Sequence, residues 1–359
     1  MPESPLKSTH EALNASFTDF GGWTMPLKYG SELEEHRAVR SDVGIFDLSH
    51  MGEIDVIGPD AGAFLDYALI SSLSNLKVGK AKYSMIVAED GGILDDLISY
   101  KLAEDRYLVV PNAANTDAVW LAFQSRVGDF DVELTNRSEE IALIAVQGPR
   151  ALEVLEPLVD GAPGDLPYYS AGEMKLGEGA DTIDVIVART GYTGEDGFEI
   201  YSSFDNAPSV WDAVIGSGTP CGLAARDSLR LEASMPLYGH ELTADITPVE
   251  AGMGRAFAKK EADFVGKEAL TGREPSVVIA GLTSQDRRAA REGAEVYIGD
   301  EKIGVVTSGQ PSPTLGYPVA LAHLDPQRAE IGTDVEIDIR GRRYPFTIVE
   351  TPFYSRKDS

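Results

Sequence analysis

Cysteine is nearly missing from this chain of 359 residues. Cys221 stands alone, so neither an intramolecular disulfide nor a thiolate metal cluster can form. Histidine is scarce as well: His10, His36, His50, His240 and His323 are scattered without metal-ligand spacing, and no metal is expected. Cations are outnumbered, 31 Lys plus Arg against 58 Asp plus Glu, for a net charge of -27. Such a surface repels nucleic acid and anionic membrane. No apolar run approaches the roughly 18 residues of a membrane span. The start, Met1-Pro2-Glu3-Ser4-Pro5, has neither the basic nor the apolar region of a secretory leader. A cytoplasmic protein without nucleic-acid or membrane partners is expected. Salt near 1 M shortens the Debye length to about 3 Å and makes so acidic a surface tolerable. A salt-rich, halophilic cytoplasm is therefore the reading, with an ordinary acidic protein as its alternative.

What is present is enough apolar content, 43%, to build cores, and a length that favours two or three domains. Ser31-Glu32-Leu33-Glu34 has the form of a capping box and opens a helix to about Ser41. Pro59-Asp60-Ala61 opens another, and further helices are expected at about 116–127 and 222–232. Two β-branched-rich runs flank Glu89-Asp90-Gly91-Gly92, and a third run begins at Arg106, so residues from about 80 to 111 predict a three-stranded meander. Asp95-Asp96 breaks the apolar pattern of its middle strand. Neighbours on a strand face opposite ways, so one of the two is expected to point inward. If Leu97 belongs to one face, Asp96 shares the other with Ile98 and Tyr100. Two readings stand: both carboxylates solvated at the hairpin mouth, or one serving as a general acid/base or a partner for a ligand nitrogen.

Ser49-His50 invites a nucleophilic pair, but adjacent residues on extended chain point apart. Asn112 follows the third strand and either meets a ligand or caps the next helix. The run 141–146 is uniformly apolar and predicts a buried strand. Runs 183–188 and 197–201 predict strands joined by Arg189-Thr190-Gly191-Tyr192-Thr193-Gly194-Glu195-Asp196. That loop lacks the Lys-Ser/Thr ending of a phosphate loop, and its two carboxylates would repel phosphate. Arg226 and Arg230, one turn apart, either bind a carboxylate or form internal ion pairs. From about 275 short β runs recur at the spacing of a small barrel or sandwich.

Residues 19–27, Ser49-His50-Met51-Gly52-Glu53, 91–97, Gly191-Tyr192-Thr193-Gly194-Glu195-Asp196-Gly197, Ala225-Arg226-Asp227-Ser228-Leu229-Arg230 and Val306-Thr307-Ser308-Gly309 together resemble the aminomethyltransferase (T-protein) family of the glycine cleavage system. The ordered set spans nearly the whole chain. The resemblance implies an α+β fold: interleaved folate-binding α/β subdomains followed by a C-terminal antiparallel β-barrel, in a cloverleaf around a central channel. Residues 1–275 would form the folate-binding catalytic region, with the 50–137 meander segment inserted in its first subdomain, and 276–359 the barrel. It also implies transfer of an aminomethyl group from the lipoyl arm of H-protein to tetrahydrofolate, the co-substrate, with release of ammonia.

By the same resemblance the essential aspartate is Asp96. Met51, Tyr83, Ile98 and Val110 would wall an apolar slot for the pterin, and Asn112 would add a polar contact. Glu195 would accept two hydrogen bonds from the aminopyrimidine edge, while Arg226 would either meet a folate oxygen or hold Glu195. Tyr354 and Arg356 of the tail would reach the folate, as would Tyr168 or its neighbour Tyr169. Two other functions stay open: a folate-dependent demethylase on this scaffold, and a folate-binding accessory protein without transferase activity. Retention of Asp96, Glu195 and Arg226 together speaks against the second.

Overall fold

The computed structural model describes residues 2–356. Near the N-terminus the Ser31 half of the predicted capping box is in place: its side chain accepts the Glu34 N–H and opens the helix Glu32–Ser41. A six-stranded sheet follows, ordered Ala171–Leu176, Ile183–Ala188, Gly197–Ser203, Ile141–Gln147, Gly44–Asp47 and Thr219–Pro220. The apolar run at 141–146 is buried near its middle, paired to Gly197–Ser203 on one side and Gly44–Asp47 on the other.

Between those two neighbouring strands, Gly44–Asp47 and Ile141–Gln147, the chain makes a long excursion that builds a second, five-stranded sheet. Its order is Ala81–Val87, Ile93–Ala103, Arg106–Pro111, Ile54–Ile57 and Glu133–Asn136, all antiparallel. The predicted meander forms its first three strands. Gly91, at φ +88°, makes the hairpin turn, and a Cβ on the following Gly92 would collide with the carbonyl of Ala244. One face of this sheet packs on the helices Ala61–Ala68 and Thr116–Arg126 through Ile54, Val56, Leu97, Phe64 and Phe123. Tyr100, Leu108 and Val110 on the opposite face pack with Leu143, Ala145 and Tyr201 of the six-stranded sheet. Backbone hydrogen bonds stitch the edges together, from Ala81 N–H to Tyr169 carbonyl at 2.9 Å and from Ala171 N–H to Gly79 carbonyl at 2.8 Å.

The C-terminal β runs close into an antiparallel barrel of Val278–Thr283, Pro318–Leu324, Glu301–Pro311, Glu295–Ile298, Asp334–Asp338 and Arg343–Val349. Closure leaves no free edge and buries the inward alternate residues, among them Val335, Ile337, Phe346 and Ile348. Of the barrel and sandwich anticipated for this segment, the barrel is the one formed. The helix Leu223–Glu232 touches it: Arg230 pairs with Glu241 and donates to Ser308 of the barrel. Arg230 therefore serves internal ion pairing.

Candidate functional site

The middle strand Ile93–Ala103 has both faces covered, so the expectation that only one of Asp95 and Asp96 points inward is corrected. Strand alternation holds, but each carboxylate meets protein. Asp95 is fully buried on the helix side. It accepts from the backbone N–H of Asn112 at 2.8 Å, from the Asn112 amide at 2.9 Å and from the Asn115 amide at 2.6 Å. Asp96 lies on the other face and lines a cavity of about 240 Å³.

That cavity collects Met51, Tyr83, Asp96, Ile98, Val110, Asn112 and Arg226 from the positions expected of them. The register explains the grouping. Asp96 sits opposite Met85, Ile98 lies between Tyr83 and Val110, and Asn112 follows the end of the third strand. Tyr83 donates its hydroxyl to Asp96 Oδ2 at 2.9 Å, and the Asn112 amide donates to Asp96 Oδ1 at 2.9 Å. Desolvation pushes the Asp96 carboxyl above the usual carboxylate range, and these two donors only partly offset it. The Asp95 carboxyl is raised by desolvation and by the charge of Asp96, against the donors from Asn112 and Asn115.

The six-stranded sheet supplies the opposite side. Thr190, Gly191 and Tyr192 of the loop before Gly197–Ser203, and Glu199 on that strand, line the cavity with Arg226. Glu199 accepts from Thr190 and from the hydroxyl of Tyr100 at 3.2 Å. Arg226 stacks over Tyr192 at 4.7 Å, and among the described residues it has no ion pair. His50 reaches the same wall, where desolvation and the Arg226 charge push its imidazole down to about 3, so it is neutral near pH 7.

Glu195, Tyr354, Arg356 and Tyr168 are not on this lining. Glu195 binds Arg40 at 3.0 Å and accepts from the Tyr354 hydroxyl at 2.6 Å, with Arg40 stacked 4.0 Å over the Tyr354 ring. Arg40, not Arg226, is therefore the cation that holds Glu195. Arg356 pairs with Asp196 at 3.2 Å and lies 5.5 Å over the ring of Tyr168. Tyr168 is 46% exposed, and of the doubled tyrosine it is Tyr169 that lines the cavity.

Sequence reasoning missed Glu199, Tyr192, Tyr238 and Arg40. Glu199 left a signal, a carboxylate alternating with Phe198 and Ile200 in a strand, of the kind that marked Asp96. Arg40 left none, since a charged residue in the last turn of an exposed-looking helix is unexceptional.

An apolar slot with aromatic walls, the desolvated Asp96 on one side and Arg226 with Glu199 on the other suits a flat, polar-edged heteroaromatic ring. Comparison with known proteins agrees in extent and kind. Residues 6–261 match the GCVT N-terminal domain family and residues 278–355 match the glycine cleavage T-protein C-terminal barrel domain. The chain belongs to the glycine cleavage T-protein family. Within that family it is 60% identical to an aminomethyltransferase of Corynebacterium aurimucosum, covering 98% of each chain. It is 51% identical to an aminomethyltransferase of Corynebacterium jeikeium, covering 99% of each. The crystal structure of glycine cleavage system aminomethyltransferase T from Bartonella henselae superposes on this T-protein family member with a TM-score of 0.92 at 36% identity, covering 99% of this chain and 98% of that one.

Proposed function

We propose that this protein is a tetrahydrofolate-dependent aminomethyltransferase of glycine cleavage. It takes the aminomethyl group from the lipoyl arm of H-protein and joins its carbon to tetrahydrofolate. The carbon–sulfur bond to the lipoyl arm breaks, dihydrolipoyl carrier is regained, ammonia leaves, and 5,10-methylenetetrahydrofolate forms. The observation that carries the reading is Asp96, whose carboxylate lines the same cavity as the apolar slot and Arg226. Ionised Asp96 positions the attacking folate nitrogen, supports positive charge developing on it and assists the proton transfer that releases ammonia.

At about 240 Å³ the cavity is smaller than the roughly 300–1,000 Å³ of pockets for drug-sized ligands, a size for one bicyclic ring with the rest of the folate extending beyond it. Met51, Ile98 and Val110 with Tyr83 would hold the ring faces, Asn112 and Arg226 its polar edge. Glu195, Tyr354 and Arg356, with Tyr168, stand together near the loop 189–196 and would serve the outlying part of the folate. Residues 1–275 would be the folate-binding region and 276–359 the barrel that closes it. No helix of the described residues is long and apolar enough to cross a membrane. A cytoplasmic, salt-rich setting accords with the acidic surface.

The test is incubation with aminomethyl-loaded H-protein and tetrahydrofolate, with ammonia as the readout. Asp96→Asn keeps the shape and removes the charge. Transfer falling at least a hundredfold with folate binding retained supports the reading, and unchanged turnover ends it. Transfer of a one-carbon unit to tetrahydrofolate from an added methylated amine or sulfonium compound, with no lipoylated carrier present, would favour the demethylase.

A further inference from the structure

Asp95 does not line the cavity, yet its hydrogen bonds run to a residue that does. Three donors converge on its carboxylate: the N–H of Asn112, the amide of Asn112 and the amide of Asn115. The same Asn112 amide nitrogen donates to Asp96 Oδ1 at 2.9 Å and to the Asp96 carbonyl at 2.9 Å. Asn112 thus stands between two adjacent carboxylates, fixed from behind by one and presenting its protons to the other.

Resting on the proposed transfer reaction, we propose that Asp95 is a positioning residue for it: by holding Asn112, Asp95 sets the rotation of the Asp96 carboxylate and its electrostatic surroundings. Asn112 and Tyr83 each take one oxygen of Asp96, so the carboxylate plane is set by two donors, one on the strand Ala81–Val87 and one just past the end of Arg106–Pro111. Release of Asn112 leaves Tyr83 as a single tether about which the group can turn. The Asn112 donor works against the desolvation that raises the Asp96 carboxyl, so loosening Asn112 would raise that carboxyl further. Sharing the cavity with Asp96 are the hydroxyls of Tyr83, Tyr169, Tyr192 and Tyr238 and the His50 imidazole, all neutral near pH 7, together with Glu199 and Arg226 on the opposite side. Asp95 therefore reaches Asp96 through the bridging Asn112.

The discriminating variant is Asp95→Asn, which keeps size but puts an amide where donors already converge. The expected result is kcat reduced at least tenfold, KM for tetrahydrofolate changed less than threefold, and the acid limb of the kcat profile moved to higher pH, because Asp96 loses a donor that favours its ionised form. A purely structural aspartate would lower the unfolding midpoint without moving that limb. A folded Asp95→Asn enzyme with the original kcat and acid limb would overturn the proposal. Should that variant not fold, Asn112→Ala keeps the backbone bond to Asp95 and removes the bridge, and full kcat in it would be equally fatal. If Asp96→Asn loses transfer while both of these keep it, the positioning role alone fails; if Asp96→Asn keeps it, the transferase reading fails first.

Discussion

Two groups of buried carboxylates in this molecule are treated in opposite ways. Where the helix Leu223–Glu232 meets the barrel, Glu232 is saturated. It accepts from Arg40 at 2.9 Å and 3.1 Å, from Thr314 at 2.7 Å and 3.0 Å, from Ser312, and pairs with His36 at 3.1 Å. Those donors outweigh desolvation and hold its carboxyl down to about 2. At Asp96 and Glu53 the balance reverses. Asp96 has two side-chain donors, and Glu53, fully buried between the sheets, has none among the described residues. Burial drives both carboxyls upward. The contrast separates carboxylates that join parts of the fold from those kept short of partners, and between Asp96 and Glu53 it is Asp96 that lines the cavity, where it can meet a ligand.

Four measurements would sharpen or break that contrast. Glu232→Ala leaves Arg40 and His36 facing an empty buried site and should cost about 3–5 kcal/mol in urea unfolding. A loss below about 1 kcal/mol would mean that Glu232 is not the tie described. Next, the acid limb of transfer should lie above the roughly 3.9 of an ordinary aspartate, because the raised Asp96 must be ionised to work and is lost as pH falls through its folded-state value. A limb at or below 3.9 in the pH profile of kcat would contradict the desolvated site.

Glu53→Gln replaces a carboxyl that is protonated in the fold and ionised when unfolded. The wild type therefore loses stability as pH rises above about 4.3, and the variant should gain on it by up to about 1.4 kcal/mol per pH unit until Glu53 ionises in the fold. Urea unfolding at two pH values reads the difference, and a Gln variant that is weaker at both would show a hidden partner for Glu53. The smallest effect concerns the surface: with a net charge of -27, the thermal midpoint should rise as salt is raised from about 0.1 M to about 1 M. Full stability without added salt would remove the halophilic reading.

The local part of this fold was written plainly in the chain. Gly91-Gly92, the Ser31 cap and the apolar run at 141–146 each carry their instruction within a few residues, and each predicted element forms where expected. Asp96 was also legible, because a carboxylate inside a strand pattern has few innocent explanations. What could not be read was the second covered face of the five-stranded sheet, which depends on a partner sheet separated in sequence. Hence Asp95 was left without a place, although it is the more buried of the two. The cluster of Arg40, Glu195 and Tyr354 joins a helix, a loop and the tail across 314 residues of chain, a separation no short-range pattern encodes.

The edge stitching between Ala81 and Tyr169, and between Gly79 and Ala171, limits how anything gets in. Swinging the five-stranded layer away like a jaw would tear main-chain bonds that water replaces poorly at a buried seam. Any guest of the cavity therefore enters while the two sheets stay joined along that edge.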